Sequence, residues 1–192
     1  MPATSGARRP AVFFDRDDTL IENGTLPDEA FAGKRGDLVD PKWIRPMPGA
    51  LAGCRDARAR GFAVIIVTNQ GVVARGGATI DEVEAACVRT IEVLGGEVDA
   101  VLACPFHPKG GGSNEFCREH AWRKPAPGML VAAGDLFGLD LTRSWMIGDA
   151  ERDIEAGHAA GLPSKHCVRV GDGVDLRHAM EFVSRATGVG HG

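Results

Sequence analysis

An apolar run that ends in a group of acidic residues constrains this chain more than any other feature. The run covers residues 11–14 (AVFF), and Asp15, Asp17 and Asp18 follow it directly. Such a run is typical of a buried β-strand. Carboxylates are rarely placed against the end of a buried strand unless a cation or a substrate holds them there, although an acidic turn is an alternative. The run therefore predicts a strand with a candidate functional site at its carboxyl end.

Three further segments supply polar groups at the ends of predicted strands or in a loop. In chain order these groups are Thr68 and Asn69, Arg123 and Lys124, and Asp149 and Asp153. Each segment alone has an ordinary explanation as a strand end, a solvated basic loop or an acidic helix start. Together they supply a hydroxyl, a lysine and a second carboxylate pair. With the first aspartates, this is the set needed for phosphoryl transfer to an aspartate.

The motifs, in this order, resemble those of the haloacid dehalogenase (HAD) superfamily of phosphohydrolases. They read Asp-x-Asp-x-Thr from Asp15, Thr-Asn-Gln from Thr68, Arg-Lys-Pro-x-Pro-Gly-Met from Arg123 and Gly-Asp-x-x-x-Asp from Gly148. Within the superfamily, they are most similar to the D-glycero-D-manno-heptose 1,7-bisphosphate phosphatases and their histidinol-phosphatase relatives. The resemblance covers about residues 11 to 170.

The resemblance implies a catalytic role for several residues. Asp15 is the expected nucleophile, and Asp17 is the expected general acid and base. Residues two apart on an extended strand share a face, so both carboxylates can address one phosphate. Mg²⁺ is expected on the Asp15 side chain, the Asp17 carbonyl and Asp149. Thr68 and Lys124 are expected to bind the phosphoryl oxygens.

The resemblance also implies supporting roles for several residues. Substrate contacts are expected from Arg16, Asn69 and Arg123, whose alternatives are exposed arginines and a turn asparagine. Asp153 is expected to orient Asp149 or Lys124 from behind. Two positions depart from the family pattern. Asp18 stands where these relatives usually carry Gly, and Ala150 stands where many carry Lys.

A loop rich in cysteine and histidine predicts a possible structural zinc site. Two pairs with Cys-x-x-His spacing flank a glycine-rich stretch, and the four candidate ligands are Cys104, His107, Cys117 and His120. Cysteine and histidine in this number suit tetrahedral Zn²⁺. The heptose-phosphate relatives hold zinc here with Cys-x-His and Cys-x-Cys, so only the first cysteine transfers cleanly. The alternative is a metal-free loop packed around Phe106 and Trp122.

The alternation of apolar strands and helical stretches predicts an α/β fold. We expect a doubly wound, Rossmann-like parallel sheet of HAD type without a separate large cap domain. Strands are expected near residues 11–15, 62–68, 98–104, 144–148 and 166–170. Helices are expected near residues 49–60, 79–94, 127–137, 151–160 and 175–186. One domain over residues 11–185 is expected, with loop insertions at about 20–47 and 104–123 and flexible ends at 1–10 and 186–192.

Composition limits the partners and the compartment. The 192 residues include 22 basic and 26 acidic side chains, for a net charge of −4. A mildly acidic chain without a basic stripe argues against nonspecific nucleic-acid binding. No secretory signal or long apolar segment is visible, so a cytoplasmic protein without membrane contact is expected. A small phosphorylated metabolite is the expected partner, and a monomer is the expected state.

These features predict a Mg²⁺-dependent phosphatase that acts on a sugar phosphate. The expected substrate is D-glycero-D-manno-heptose 1,7-bisphosphate, with the 7-phosphate removed. Histidinol phosphate is the nearest alternative. A polynucleotide 3′-phosphatase shares the fold, but the acidic charge balance counts against it. A non-catalytic binding scaffold is disfavoured because the complete set of catalytic groups is present in the sequence.

Overall fold

The computed structural model describes residues 8–111, 114–171 and 173–186. Its five strands are β1 (Ala11–Phe14), β2 (Ala63–Asn69), β3 (Ala100–Cys104), β4 (Trp145–Gly148) and β5 (Cys167–Arg169). Its five α-helices are α1 (Ala50–Ala59), α2 (Ile80–Val93), α3 (Gly128–Phe137), α4 (Glu151–Ala159) and α5 (Leu176–Ala186). Short 3₁₀ turns lie at Asp28–Ala30, Pro41–Trp43, Leu141–Arg143 and Ser164–His166. The predicted strands and helices are confirmed, with ends that differ by one or two residues.

The strands form one parallel sheet in the order β3-β2-β1-β4-β5. The central strand β1 pairs on one side with β2, where Phe13 lies opposite Ile65, and on the other with β4, where Phe13 lies opposite Met146. All four residues of β1 are buried. Strands that are apolar on both faces are typical of parallel sheets covered by helices on both sides, which explains the continuous apolar runs in the sequence.

Two hydrophobic layers cover the sheet, one on each face. Alternate residues of β1 point to opposite layers: Val12 and Phe14 pack in one, and Ala11 and Phe13 in the other. The first layer includes side chains from α1, α2 and α5, and the second includes side chains from α3 and α4. The predicted doubly wound α/β architecture is therefore confirmed.

The strand order places the candidate site residues at one edge of the sheet. The chain runs outward from β1 through β2 to β3, then returns to the other side of β1 as β4 and β5. Doubly wound sheets bind ligands beyond the carboxyl ends of their strands, where this reversal occurs. Asp15 follows β1 and Asp149 follows β4, on either side of the reversal. Thr68 lies at the same end of β2.

The connections that extend over this edge are mostly irregular. Between β1 and α1 the chain forms only two 3₁₀ turns, and the described residues between Cys104 and Gly128 include no helix or strand. Neither segment builds a cap with a sheet or α-helices of its own. Of the parts of the chain described, no helix is long and apolar enough to span a membrane.

The predicted flexible N-terminus needs a correction at its inner end. Residues 1–7, and the predicted tail beyond Ala186, lie outside the described residues. Arg9 is held in place, because its guanidinium donates hydrogen bonds to the carbonyls of Gly61 and Phe62 and its backbone bridges to Leu139. These bonds tie the entry to β1 to the residues that precede β2.

Helix α2 offers a test of local stability that is separate from the site. The Thr79 hydroxyl accepts a hydrogen bond from the Glu82 backbone N–H at 3.2 Å, and the Thr79 backbone N–H donates to the Glu82 carboxylate at 2.7 Å. Thr79→Ala removes the first bond, so we expect a loss of about 1 kcal/mol in the free energy of unfolding. Chemical denaturation measures this loss. Thr79→Ser retains the hydroxyl and serves as the control.

Candidate active site

A cavity of about 270 Å³ opens at the carboxyl edge of the sheet. Its charged lining is divided between five carboxylates and five cations. The carboxylates are Asp15, Asp17, Asp18, Asp37 and Asp149. The cations are Lys34, Arg35, Arg75, Arg123 and Arg152. Thr68, Asn69 and Asn23 add neutral polar groups. The cavity therefore combines a possible cation site with groups that attract anions.

A fully buried lysine forms the centre of the site. Lys124 Nζ lies 2.5 Å from Asp15 Oδ1 and 2.7 Å from Asp153 Oδ1, and it donates to the Val67 carbonyl at 2.7 Å. Burial alone lowers the pKa of Lys124, but the two carboxylates outweigh it, so the net pKa is raised. The lysine therefore remains a cation beside the predicted nucleophile.

Asn69 holds the backbone of this lysine. Its side-chain nitrogen donates to the Lys124 carbonyl at 2.9 Å, and its side-chain oxygen accepts from the Lys124 N–H at 3.0 Å. Although Asn69 lines the cavity, the observed contacts of its amide are with the chain itself. These bonds fix the loop that carries the lysine, and the substrate contact of Asn69 stays a prediction. The spacing of motifs gave no signal for this pairing across 55 residues.

The predicted acid and base, Asp17, is held from two sides. Arg16 Nη2 and Nε donate to Asp17 Oδ1 at 2.8 and 3.1 Å, and Gln70 Nε2 donates to Asp17 Oδ2 at 3.1 Å. The same Gln70 nitrogen donates to the Thr68 hydroxyl at 2.9 Å. Burial raises the pKa of Asp17, and the neighbouring Arg16 cation opposes that rise. A raised pKa suits a carboxyl that must both donate and accept a proton.

The prediction that Arg16 binds substrate is wrong. Its side chain is completely buried and does not line the cavity. A guanidinium that is closed off from solvent cannot reach an incoming ligand. Instead, it donates to Asp17 and to the Leu38 carbonyl at 2.7 Å. The sequence placed Arg16 between two site aspartates but could not show which side of the loop it occupies.

The carboxylates that follow β1 and β4 fit a divalent cation. Ligand oxygens of Asp15, Asp149 and Asp153 lie within 4.8 Å of one another. Asp149 Oδ1 is buried and accepts no hydrogen bond, so a polar atom at this position lacks the partner that burial normally demands. Burial first, and then the carboxylates of Asp15 and Asp153, raise the pKa of Asp149 to about 7. A hard cation with oxygen ligands relieves this repulsion, as Mg²⁺ would.

Both carboxylate oxygens of Asp153 already have partners within the chain. Its Oδ1 is paired with Lys124, and its Oδ2 accepts from the Ala150 N–H at 3.0 Å. Gly148 leaves room for the Asp153 side chain, because a Cβ at position 148 would lie 2.5 Å from Asp153 atoms. Asp153 therefore orients the lysine, while Asp15 and Asp149 face the cavity.

The two departures from the family pattern have visible consequences. Asp18 adopts a left-handed backbone with φ of 55°, and its carboxylate accepts a hydrogen bond from the Asn23 N–H at 3.1 Å. The left-handed region is unfavourable for most residues, but aspartate can adopt it because its short side chain forms a local hydrogen bond. Ala150 itself carries no charge, but Arg152, two residues later, lines the cavity. A cation is thus present near this position, although on a different residue.

Four of the cations form what we call the cationic rim: Lys34, Arg75, Arg123 and Arg152. Burial lowers the pKa of Arg123, and the cations of Arg152 and Arg75 lower it further. Arg75 is paired with Asp37 at 2.5 Å. All four cations line the same cavity, where they favour an anionic ligand. Of these four, only Arg123 was predicted to contact substrate. Arg75 and Arg152 lie within stretches that resemble the family, but the sequence does not show which way their side chains point.

The predicted zinc site is not formed by these residues. In the described parts of the chain, no three of the four candidate ligands bring ligand atoms within 4.8 Å of one another. Cys117 Sγ donates to the Ala74 carbonyl at 2.9 Å, and the His120 ring stacks on Phe106 with ring centroids 3.9 Å apart. His107 Nδ1 accepts from the Lys109 N–H at 3.0 Å. In this arrangement His120 packs between Phe106 and Trp122, whose ring centroid lies 6.3 Å from that of His120.

The arrangement of this loop leads to a prediction about metal content. Protein purified without chelator should contain less than about 0.1 equivalent of zinc, because four converging ligands are needed for a structural site. Elemental analysis measures the zinc content. After chelation and dialysis, the melting temperature should not decrease. One equivalent of zinc that is lost together with stability would contradict this arrangement.

The raised pKa of Asp149 predicts how the metal-free protein responds to pH. Its folded pKa of about 7 lies above the unfolded value, so the folded state binds more protons between about pH 4 and 7. Stability of the metal-free protein should therefore fall as pH rises through this window. Asp149→Asn should reduce that fall, raise the melting temperature at pH 7.5 in chelator, and abolish the stabilisation that Mg²⁺ gives to the wild type. Asp135→Asn, on the exposed face of α3, is the matched control, and its melts should follow those of the wild type.

Comparison with known proteins agrees with the geometry. Residues 121–190 match the family model described as HAD-hyrolase-like. The chain is 38% identical over 163 residues to a D-glycero-beta-D-manno-heptose-1,7-bisphosphate 7-phosphatase of Rhodopseudomonas palustris, which covers 83% of each chain. It is 33% identical over 181 residues to the protein of the same name from Salmonella typhi, covering 91% of this chain and 89% of that one.

Solved structures agree as well. A protein from Mesorhizobium loti, described as a HAD-like phosphatase, superposes with a TM-score of 0.75 at 32% identity, over 93% of this chain and 87% of that chain. The D,D-heptose 1.7-bisphosphate phosphatase of B. bronchiseptica, complexed with magnesium and phosphate, has a TM-score of 0.69 at 23% identity, over 92% and 99%, and shares the fold. With its motifs on this fold, the chain belongs to the HAD-like phosphatases, in the family of the heptose bisphosphate 7-phosphatases.

Proposed function

We propose that this phosphatase removes the 7-phosphate of D-glycero-D-manno-heptose 1,7-bisphosphate with Mg²⁺ as cofactor. The cationic rim carries the proposal. The buried lysine and the Mg²⁺ ligands already serve one phosphoryl group, so four further cations around the same cavity favour a substrate with a second anionic group. The relatives of this chain are named for such a bisphosphate. Their names specify the β anomer, which is the form to test first.

In the first step, an Asp15 oxygen attacks the phosphorus and the bond from phosphorus to the sugar oxygen breaks. Asp17 gives its proton to the leaving oxygen, so the products are the sugar alcohol and an aspartyl-phosphate on Asp15. Lys124 and Thr68 bind phosphoryl oxygens and offset their charge. Asp15, the Asp17 carbonyl and Asp149 would hold Mg²⁺, which would supply further neutralisation of negative charge.

In the second step, water attacks the phosphorus of the aspartyl-phosphate. Asp17, now a carboxylate, accepts a proton from that water, and the bond between phosphorus and the Asp15 oxygen breaks. Inorganic phosphate leaves, and both aspartates return to their starting states. Lys124 Nζ, 2.5 Å from Asp15 Oδ1, offsets the negative charge of the regenerated carboxylate.

The alternatives differ in charge and size. Histidinol phosphate carries an amino group that is cationic at neutral pH, which the cationic rim repels. A 3′-phosphorylated oligonucleotide needs an extended basic track, whereas the net charge here is −4 and the cations surround one cavity of about 270 Å³. A small, doubly anionic sugar phosphate fits both conditions.

The test is a substrate panel with Mg²⁺: heptose 1,7-bisphosphate, the corresponding 7-phosphate, histidinol phosphate and a 3′-phosphorylated oligonucleotide. We expect the highest kcat/KM for the bisphosphate. Arg152→Met should raise KM for the bisphosphate several-fold and change KM for the monophosphate little, because it removes only the contact with the second anion. Equal or better turnover of histidinol phosphate would contradict the proposed substrate.

The nucleophile is tested separately. Asp15→Asn keeps the shape of the side chain but removes its nucleophilic oxygen, so turnover of every substrate should fall below detection while the circular dichroism spectrum is unchanged. Release of phosphate measures turnover. Asp56→Asn, on α1 away from the cavity, controls for the effect of the substitution itself. Substantial turnover by Asp15→Asn would rule out the covalent pathway.

We further propose a role in carbohydrate metabolism, which follows from the proposed activity, and a cytoplasmic location. All five cysteines are free. Burial raises the pKa of the Cys54 thiol to about 12 and that of Cys167 to about 11. Buried, protonated thiols without disulfide partners suit a reducing compartment.

A further inference from the structure

Arg16 is a buried cation that the phosphoryl-transfer steps do not use directly. Its guanidinium has no exposure to solvent, and three of its observed hydrogen bonds define its position. Nη2 and Nε both donate to Asp17 Oδ1, and Nη2 also donates to the Leu38 carbonyl at 2.7 Å. A planar guanidinium with two contacts on one carboxylate oxygen fixes direction as well as charge.

The other oxygen of Asp17 is fixed by a different residue. Gln70 Nε2 donates to Asp17 Oδ2 at 3.1 Å, from the end of β2. Asp17 lines the cavity, whereas Arg16 lies behind it. The carboxyl group is therefore held at Oδ1 by Arg16 and at Oδ2 by Gln70, while Asp17 itself lines the cavity.

We infer that Arg16 is the positioning residue for the acid and base chemistry of Asp17. This inference rests on the proposed mechanism, because it takes Asp17 as the donor of the proton to the leaving oxygen. By holding Asp17 Oδ1, the guanidinium keeps the carboxyl plane in the orientation from which Oδ2 reaches that oxygen. A misplacement of about 1 Å at such a group lowers the rate substantially.

The contact with Leu38 extends this role to the loop that bears part of the cavity wall. Leu38 follows Asp37, whose carboxylate pairs with Arg75 of the cationic rim. The segment of Asp37 and Leu38 is thus bonded both to Arg16 and to Arg75, a cation that lines the cavity. Through Arg16, the position of Asp17 depends on the segment that contains Leu38 as well as on β1.

A comparison of leaving groups isolates this role. The nitrophenolate of p-nitrophenyl phosphate departs without protonation, whereas the alkoxide of benzyl phosphate needs a proton from the acid. Both substrates are similar in size, and neither depends on the identity of the sugar phosphate. The measured quantity is the ratio of kcat/KM for benzyl phosphate to that for p-nitrophenyl phosphate. Because one preparation is used for both assays, the ratio is independent of the fraction of protein that is folded.

We expect Asp17→Asn to lower this ratio by roughly 10²-fold or more. Arg16→Met should lower it in the same direction by about 10-fold, since the acid is present but poorly directed. Arg16→Lys keeps the charge but loses the forked contact, and its ratio should remain well below that of the wild type. Arg89→Met, on the exposed side of α2, is the matched control and should leave the ratio unchanged.

Three results would overturn the inference. If Arg16→Met lowers kcat/KM by the same factor for both substrates, Arg16 acts only on stability. If Arg16→Lys fully restores the wild-type ratio, charge alone is needed. If Asp17→Asn leaves the ratio unchanged, the assignment of the acid fails and the inference fails with it. The sugar-phosphate panel is unaffected by these outcomes, so the proposed substrate stands or falls on its own.

Discussion

The buried ion pair between Lys124 and two aspartates is the interaction on which the rest of the site depends. Lys124 Nζ contacts Asp15 and Asp153, and its side chain is fully buried. Charges are buried in this way only when they are paired, and removal of one partner from a buried pair typically destabilises a protein by about 3–5 kcal/mol. Asp149 adds a third carboxylate to this group. One lysine cannot neutralise three carboxylates, so the fold itself creates the demand for a further cation.

The parallel sheet makes this concentration of charge possible. Strands β1, β2 and β4 are adjacent and all end at the same edge, so residues far apart in sequence meet there. The lysine comes from a loop rather than a strand. It is held by the Asn69 amide, which bonds both its N–H and its carbonyl. The strong apolar packing on both faces of the sheet provides the rigid base that holds like charges close together.

Around this centre, the irregular connections determine what the cavity receives. The segment between β1 and α1 supplies Lys34 and Asp37, and the turn after β2 supplies Arg75. The first turn of α4 adds Arg152 to the same wall. The catalytic centre is thus built on strand ends, as expected for reaction chemistry shared by a large superfamily. The cations that we propose to recognise the second anion lie mainly on loops, which vary more freely.

The sequence by itself determined the α/β architecture, the order of the motifs and the identity of the groups at the strand ends. Continuous apolar runs and their spacing are local properties, so they predict β1 to β5 and the helices between them. Only the tertiary structure decided the direction of individual side chains. Arg16 stands between two cavity aspartates in sequence, yet its side chain turns behind them to Asp17 and Leu38. Cys117 and His120 have the spacing of zinc ligands, yet they contact Ala74 and Phe106 instead. Such outcomes depend on partners tens of residues away, whose competing contacts no local pattern records.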